Sequence, residues 1–270
     1  MKDLVENRKR IPLSKKIKLG IEVMRQNGVV WSFYLAVYYI SSAFAERAFG
    51  ALDDRRKRLG LPGLNSAGLN KLIWESWDWA AEGEEWTPSP EWKESVLRHI
   101  LLKHMPEGGT QLEIGPGGGR WTETLVDIAD RLIAVDISAE CLRVCAERFH
   151  DADNVEFVLT PGNSLPGVAD ESVDAIWSFD VFVHINRAEV EKYAAEFARV
   201  MRPGGVGVIH HGTVGGKNGG WRSDMTAGGM LNCLREEGLE IVEQFKEWSD
   251  EGREYQAGLY DDAITVFRKP

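Results

Sequence analysis

The stretch L-E-I-G-P-G-G-G-R-W-T, Leu112 to Thr122, decides the fold. A short apolar run, TQLEI, passes directly into a loop containing Gly115, Gly117, Gly118 and Gly119. Glycines let a chain turn tightly and bring its backbone close to a ligand. The helix expected next, to about Ala129, offers free N–H groups at its start. Then RLIAVDI, Arg131 to Ile137, reads as a second strand closing on Asp136. A carboxylate there can accept both hydroxyls of a ribose, as in nucleotide-binding strand–helix–strand units.

Working outward, the alternation continues. Ala139 to His150 reads as a helix, NVEFVL as a third strand and SVDAIWSF as a fourth. Arg187 to Met201 is a helix, GVGVIHH a fifth strand and Thr226 to Glu237 a helix. LEIVEQFKEW and DAITVFRK supply a sixth and a seventh strand. Strand–helix alternation predicts an α/β fold with a mainly parallel sheet covered on both faces. Ligands of such sheets bind beyond the carboxyl ends of the strands. His210 and His211 end the fifth strand, where neighbouring side chains point to opposite faces.

The pattern Gly115-x-Gly117-x-Gly119 resembles the first motif of class I S-adenosylmethionine-dependent methyltransferases. Three later stretches are similar to that family in the same order: T-P-G-N-S-L-P (Thr160–Pro166), S-F-D-V-F-V-H-I (Ser178–Ile185) and V-M-R-P-G-G (Val200–Gly205). Together they cover residues 110–210. The resemblance implies a Rossmann-like seven-stranded sheet of order 3-2-1-4-5-7-6 with strand seven antiparallel. It implies S-adenosyl-L-methionine as cofactor and S-adenosyl-L-homocysteine as product. Glu113, Gly115, Gly117 and Gly119 would hold the methionine part, Asp136 the ribose, and Ile137 the adenine face. Asn163, Ser164 and Leu165 would close over the adenine, and Phe179 would complete the set. Asn163 stands where the family places an acid; its amide oxygen can accept the same hydrogen bond.

Methyl transfer from a sulfonium requires the nucleophile to be held about 3–3.5 Å from the methyl carbon. A hydroxyl nucleophile also needs a base for its proton. His184, His210 and His211 are the candidate bases, with Asp180 to orient one of them. The glycine-rich segment GTVGGKNGGWRSDMT offers Trp221, Arg222 and Asp224 as acceptor ligands: a flat face for a sugar ring, and charged groups for its hydroxyls. The expected reaction is O-methylation of a hydroxyl on a sugar, glycoconjugate or other small metabolite. Asp180 with the histidines leaves a divalent metal open, although the spacing does not demand one. Three rivals stand beside this. An N-methyltransferase acting on a small amine needs no base. A non-catalytic partner protein would bind the cofactor without turnover. An NAD oxidoreductase is weaker, because the third glycine of the dinucleotide fingerprint falls on Arg120.

Residues 1–60 carry 13 Lys+Arg against 6 Asp+Glu, the remainder 19 against 36. The acidic body argues against nucleic acid as a partner. Residues 28–45 contain no charge but include Trp31, Tyr34, Tyr38 and Tyr39. They read as an apolar helix that covers the body, forms a homodimer contact, or lies on a membrane surface near basic residues. No secretory signal is visible, and Cys141, Cys145 and Cys233 form neither a disulfide framework nor a zinc site. The expected location is therefore the cytoplasm, with association at the inner membrane surface left open. Residues 1–105 are expected to form a helical extension and cap, with five tryptophans between Trp74 and Trp92, and residues 106–270 the cofactor-binding domain.

Overall fold

The computed structural model describes residues 13–61, 65–215, 221–258 and 260–270. The described residues divide after Leu61 into two compact units. In the first, α1 (Leu13–Asn27) and α2 (Val29–Leu59) meet at Gly28, whose φ of 82° suits only glycine. No residue of α2 is buried. Gly60 in the left-handed conformation ends it, and Arg56 and Lys57 pair with Asp53 in its last turns. Among the described residues, no helix is long and apolar enough to cross a membrane.

The second unit begins with α3 (Ala67–Glu75), capped by Ser66, and two single turns at Trp79–Ala81 and Glu84–Trp86. Ser89 and Pro90 start α4 (Pro90–Val96), which runs on through a wider π turn, Leu97–Leu101, to His104. The alternation follows: β1 (Thr110–Ile114), α5 (Thr122–Ile128), β2 (Arg131–Asp136), α6 (Ala139–Arg148), β3 (Val155–Leu159) and β4 (Val173–Phe182). Next come α7 (Arg187–Val200), β5 (Met201–His211), α8 (Ala227–Glu236) and β6 (Glu240–Phe245). A small hairpin, β7 (Glu247–Asp250) and β8 (Arg253–Gln256), precedes β9 (Ala263–Arg268).

Seven strands form one sheet in the order β3-β2-β1-β4-β5-β9-β6. β9 is antiparallel to both its neighbours, and the pairs from β3 through β5 are parallel. The expected Rossmann-like architecture is present, with β9 as its seventh strand. One expectation is corrected. The segment read as a single sixth strand breaks at Lys246, and its second half turns away to pair with β8.

Consecutive strand residues fall in different core clusters: Ile176, Ile209 and Phe267 in one, Trp177, Val208 and Val266 in the other. Both faces of the sheet are therefore covered, as the period of two requires. Gly207 belongs to this packing: a Cβ there would sit 2.1 Å from the Phe267 ring.

Candidate active site

A cavity of about 600 Å³ opens at the carboxyl ends of β1, β2 and β4. That size suits a cofactor together with a small acceptor. Ile114 and the glycine loop form one wall, and Asp136 and Ile137 the next. Six tryptophans line it: Trp74, Trp79, Trp86, Trp92, Trp121 and Trp221.

The glycine loop is pressed against the tryptophan segment. A Cβ on Gly117 would lie 2.8 Å from the Trp79 ring, and one on Gly118 would lie 2.5 Å from the backbone carbon of Glu82. The glycines thus permit close approach of protein to protein as well as to a ligand. Asp136 accepts a hydrogen bond from the Ser138 N–H at 2.8 Å, and burial pushes its carboxyl up to about 6. Glu113 lies beneath the loop, accepts from the Thr122 hydroxyl at 2.6 Å, and is pushed up to about 7 by burial. The glycine cradle and the strand-end carboxylate fit a nucleoside cofactor with a ribose diol.

The polar end of the cavity is a chain of charges. Arg120, 4% exposed, pairs with Asp180 at 2.5 Å. Asp180 has a left-handed φ of 62° at an irregularity in β4, and its backbone N–H donates to His210 Nδ1 at 3.1 Å. Burial works to raise the Asp180 pKa, but Arg120 and His210 outweigh it and hold the carboxylate ionised, well below the usual range. His210 stacks on Phe179 with ring centroids 4.3 Å apart. Its Nε2 has no hydrogen-bond partner and lies 3.7 Å from Asp262, which pairs with Arg222.

His184 is set differently. Its Nδ1 lies 2.8 Å from the Trp221 carbonyl oxygen, an obligatory acceptor, so that nitrogen carries the hydrogen. Nε2 is then the unprotonated nitrogen. Burial lowers the His184 pKa to about 4, so the ring is neutral at physiological pH. His210 Nδ1 lies 3.1 Å from both the backbone nitrogen and the Oδ1 of Asp180, so it meets a donor and an acceptor on the same residue.

Of the expected residues, Gly115, Gly117, Asp136, Ile137, Phe179, Asp180, His184, Trp221 and Arg222 line the cavity. Others do not. His211 points to the opposite face, where its Nε2 meets the Thr265 hydroxyl at 2.7 Å, and burial lowers its pKa to about 4. His210 and Glu113 sit behind the lining, fully or almost fully buried. Gly119 packs on Phe149. Asn163, Ser164 and Leu165 are drawn away because the Leu165 backbone is tied to Glu196 and Arg199 of α7, and Thr160 and Gly162 form that wall instead. Asp224 accepts from the Arg187 N–H and so caps α7. Arg120, Asp262, Asn65 and Asn70 line the site and were not among the expected residues. Arg120 alone carried a signal, because it displaces a glycine in a loop otherwise made of them. Among the described residues, no group of three or more His, Cys, Asp and Glu is placed to hold a metal ion.

Residues 112–209 match the family described as "Methyltransferase domain". A Mycobacterium avium protein, provisionally described as an O-methyltransferase, is 31% identical over 127 residues, 44% of this chain and 55% of its own. The demethylmenaquinone methyltransferase of Tropheryma whipplei is 33% identical over 98 residues, 36% of this chain and 39% of its own. The chain thus spans about half or less of the length of these relatives. The geranyl diphosphate C-methyltransferase of Streptomyces coelicolor, solved with Mg²⁺, geranyl diphosphate and S-adenosyl-L-homocysteine, superposes with a TM-score of 0.53 at 14% identity. That match covers 74% of this chain and 96% of the other, and at such identity it speaks for the fold alone. Motif order, sheet topology and family match agree: the chain carries a class I S-adenosylmethionine-dependent methyltransferase domain.

Proposed function

We propose that the protein transfers a methyl group from S-adenosylmethionine to a hydroxyl of a sugar, a glycoconjugate or a similar polyhydroxylated metabolite, with His184 as general base. The observation that carries this is the tautomer of His184. Its hydrogen is committed to the Trp221 carbonyl, which leaves a neutral ring with a free lone pair on a residue lining the cavity. The bound cofactor supplies an activated methyl group on a sulfonium sulfur. The hydroxyl oxygen forms the new bond to carbon, the carbon–sulfur bond breaks with its electrons retained by sulfur, and the hydroxyl proton passes to His184 Nε2.

The tryptophan walls suit the apolar face of a sugar ring. Asp180, Asp262, Arg120 and Arg222 suit its hydroxyls. Asp180 acts on His210 rather than on His184 and serves to hold the polar end in place. The basic, aromatic α1–α2 unit fits an enzyme that works in the cytoplasm beside a membrane carrying lipid-linked glycans.

The test is a single-turnover assay with labelled methyl donor against sugars and lipid-linked glycans, at saturating cofactor, from pH 6 to 8. A hydroxyl acceptor with His184 as base gives a rate nearly flat over that range, because His184 is already unprotonated. A rate climbing tenfold per pH unit would instead mark an acceptor that must first shed its own proton, as an amine does.

A further inference from the structure

Two buried amides outside the motif region lie against the acceptor side of the cavity. Asn65 is 5% exposed and Asn70 is 7% exposed, and both line the cavity. In each, the amide nitrogen is spent on a loop of the methyltransferase domain. Asn65 Nδ2 donates to the Arg222 carbonyl at 2.8 Å, and Asn70 Nδ2 donates to the His184 carbonyl at 3.3 Å. These two bonds fix which end of each amide is oxygen. The oxygens, Asn65 Oδ1 and Asn70 Oδ1, are buried and have no partner. A buried polar atom left unpaired costs about 1–3 kcal/mol, so an orphan in a native fold calls for an explanation.

The surroundings say what kind of partner is missing. Trp74, on the same helix as Asn70, stacks on Trp221 at 5.5 Å and 29°, and meets the His184 ring edge-on at 5.5 Å. The Trp221 indole N–H is itself buried and unpaired. The corner around the proposed base therefore presents two acceptor oxygens, one donor N–H and flat aromatic walls. Each amide oxygen wants a donor, the indole wants an acceptor, and a hydroxyl is both. An alkyl chain would satisfy none of the three, and an ammonium would leave the indole unpaired.

We propose that Asn65, Asn70 and the Trp221 indole form a saccharide subsite, in which the amide oxygens accept hydrogen bonds from ring hydroxyls of the methyl acceptor beside His184. This rests on the methyltransferase reading and adds to it a substrate determinant supplied by residues 65–74. The same residues hold the loops bearing His184 and Arg222 through their nitrogens. Acceptor binding and placement of the base are thus joined in two side chains.

The experiment is saturation-transfer NMR and tryptophan-fluorescence titration of the full chain with methyl pyranosides (glucoside, mannoside, galactoside and rhamnoside), with S-adenosylhomocysteine bound. At least one glycoside binds the unaltered protein. Asn65→Ala and Asn70→Ala weaken it about tenfold each. Asn70→Asp, which keeps an acceptor oxygen but cannot donate to the His184 carbonyl, retains more binding than Asn70→Ala. Trp221→Phe keeps the ring, loses the N–H and weakens binding. S-adenosylhomocysteine affinity stays within twofold throughout, which separates this role from one in holding the fold. If S-adenosylhomocysteine binds but no glycoside does, or if both alanine variants bind glycoside like the unaltered protein, the subsite is overturned. If S-adenosylhomocysteine itself fails to bind, the methyltransferase reading falls first.

Discussion

Asp136→Asn should separate stability from cofactor binding. Burial raises the Asp136 carboxyl from 3.8 to about 6, against the pull of three backbone N–H groups. A carboxyl whose folded pKa lies above its unfolded value favours the folded state while protonated. That contribution is full below pH 3.8 and is lost as pH rises through 6. At about 1.4 kcal/mol per pH unit, the ionised carboxylate at pH 7 costs the fold on the order of 3 kcal/mol. An amide removes the charge yet still accepts from the Ser138 N–H, so Asp136→Asn should raise the melting temperature at pH 7.5 by several degrees. It should not do so at pH 4, where the native carboxyl is already protonated.

Cofactor binding moves the other way. If the ribose hydroxyls donate to the carboxylate, the ionised form is the binding form. With a pKa of about 6, the ionised fraction at pH 5 is about a tenth, so affinity for S-adenosylhomocysteine falls roughly tenfold between pH 7.5 and pH 5. Calorimetric titration across that range measures it. In Asp136→Asn the affinity is weak at every pH, and any residual slope reports the ligand's own titration. An unaltered protein that binds equally at both pH values, or an asparagine variant that binds as tightly, would refute the assignment of Asp136 to the ribose.

Three further outcomes are expected. His184→Ala should lower turnover by about 10²–10⁴-fold with S-adenosylhomocysteine affinity within twofold, read by single-turnover kinetics and calorimetry; unchanged turnover removes His184 as base. His211→Ala should cost about 1–3 kcal/mol in denaturant unfolding, because it leaves the buried Thr265 O–H without its acceptor while Gln244 still donates to the oxygen, and turnover of the folded fraction is unaffected. Removing residues 1–61 should abolish cosedimentation with vesicles rich in anionic lipid and leave S-adenosylhomocysteine affinity intact; vesicle binding that survives the truncation would place the membrane contact elsewhere.

The glycine-loop and Asp136 wall of the cavity was legible because its signals are local, whereas the wall expected from Asn163, Ser164 and Leu165 was not, because α7 holds the Leu165 backbone and Thr160 and Gly162 stand there instead. A glycine loop after a strand, an acid closing the next strand, and a proline–glycine turn before the fifth each constrain the backbone over a few residues. The acceptor half is tertiary. Alternation along β5 already placed His210 and His211 on opposite faces, but nothing in GVGVIHH says which face meets the cavity. That depends on Phe179 and Asp180 from β4 on one side and Thr265 from β9 on the other. Asn65 and Asn70 carried no signal at all, since amides near a helix start read as turn and capping residues. Their role shows only when the loops after β4 and β5 are brought against them.

That division has a physical reason. On the proposed reading the cofactor is recognised where the sheet itself ends, so its ligands follow from strand register, and the acceptor by loops after β4 and β5, which have no register to follow and must be held by something else. Here the holding element is the segment from Asn65 to Trp86, which donates to two loop carbonyls, stacks on Trp221 and closes against Gly117 and Gly118. A substitution where that segment meets the glycine loop, at Trp79 or Glu82, should therefore disturb both halves of the cavity, whereas one at Asn65, at Asn70 or in the loops should disturb the acceptor alone. Gly118→Ala makes the contrast measurable. Its new methyl group would meet the Glu82 backbone, which cannot yield as a flexible side chain does, so the tryptophan wall must shift. Affinity for S-adenosylhomocysteine and for acceptor should fall together in Gly118→Ala, and only the acceptor's should fall in Trp221→Phe. Matching profiles for the two variants would mean that the tryptophan segment does not couple the two halves.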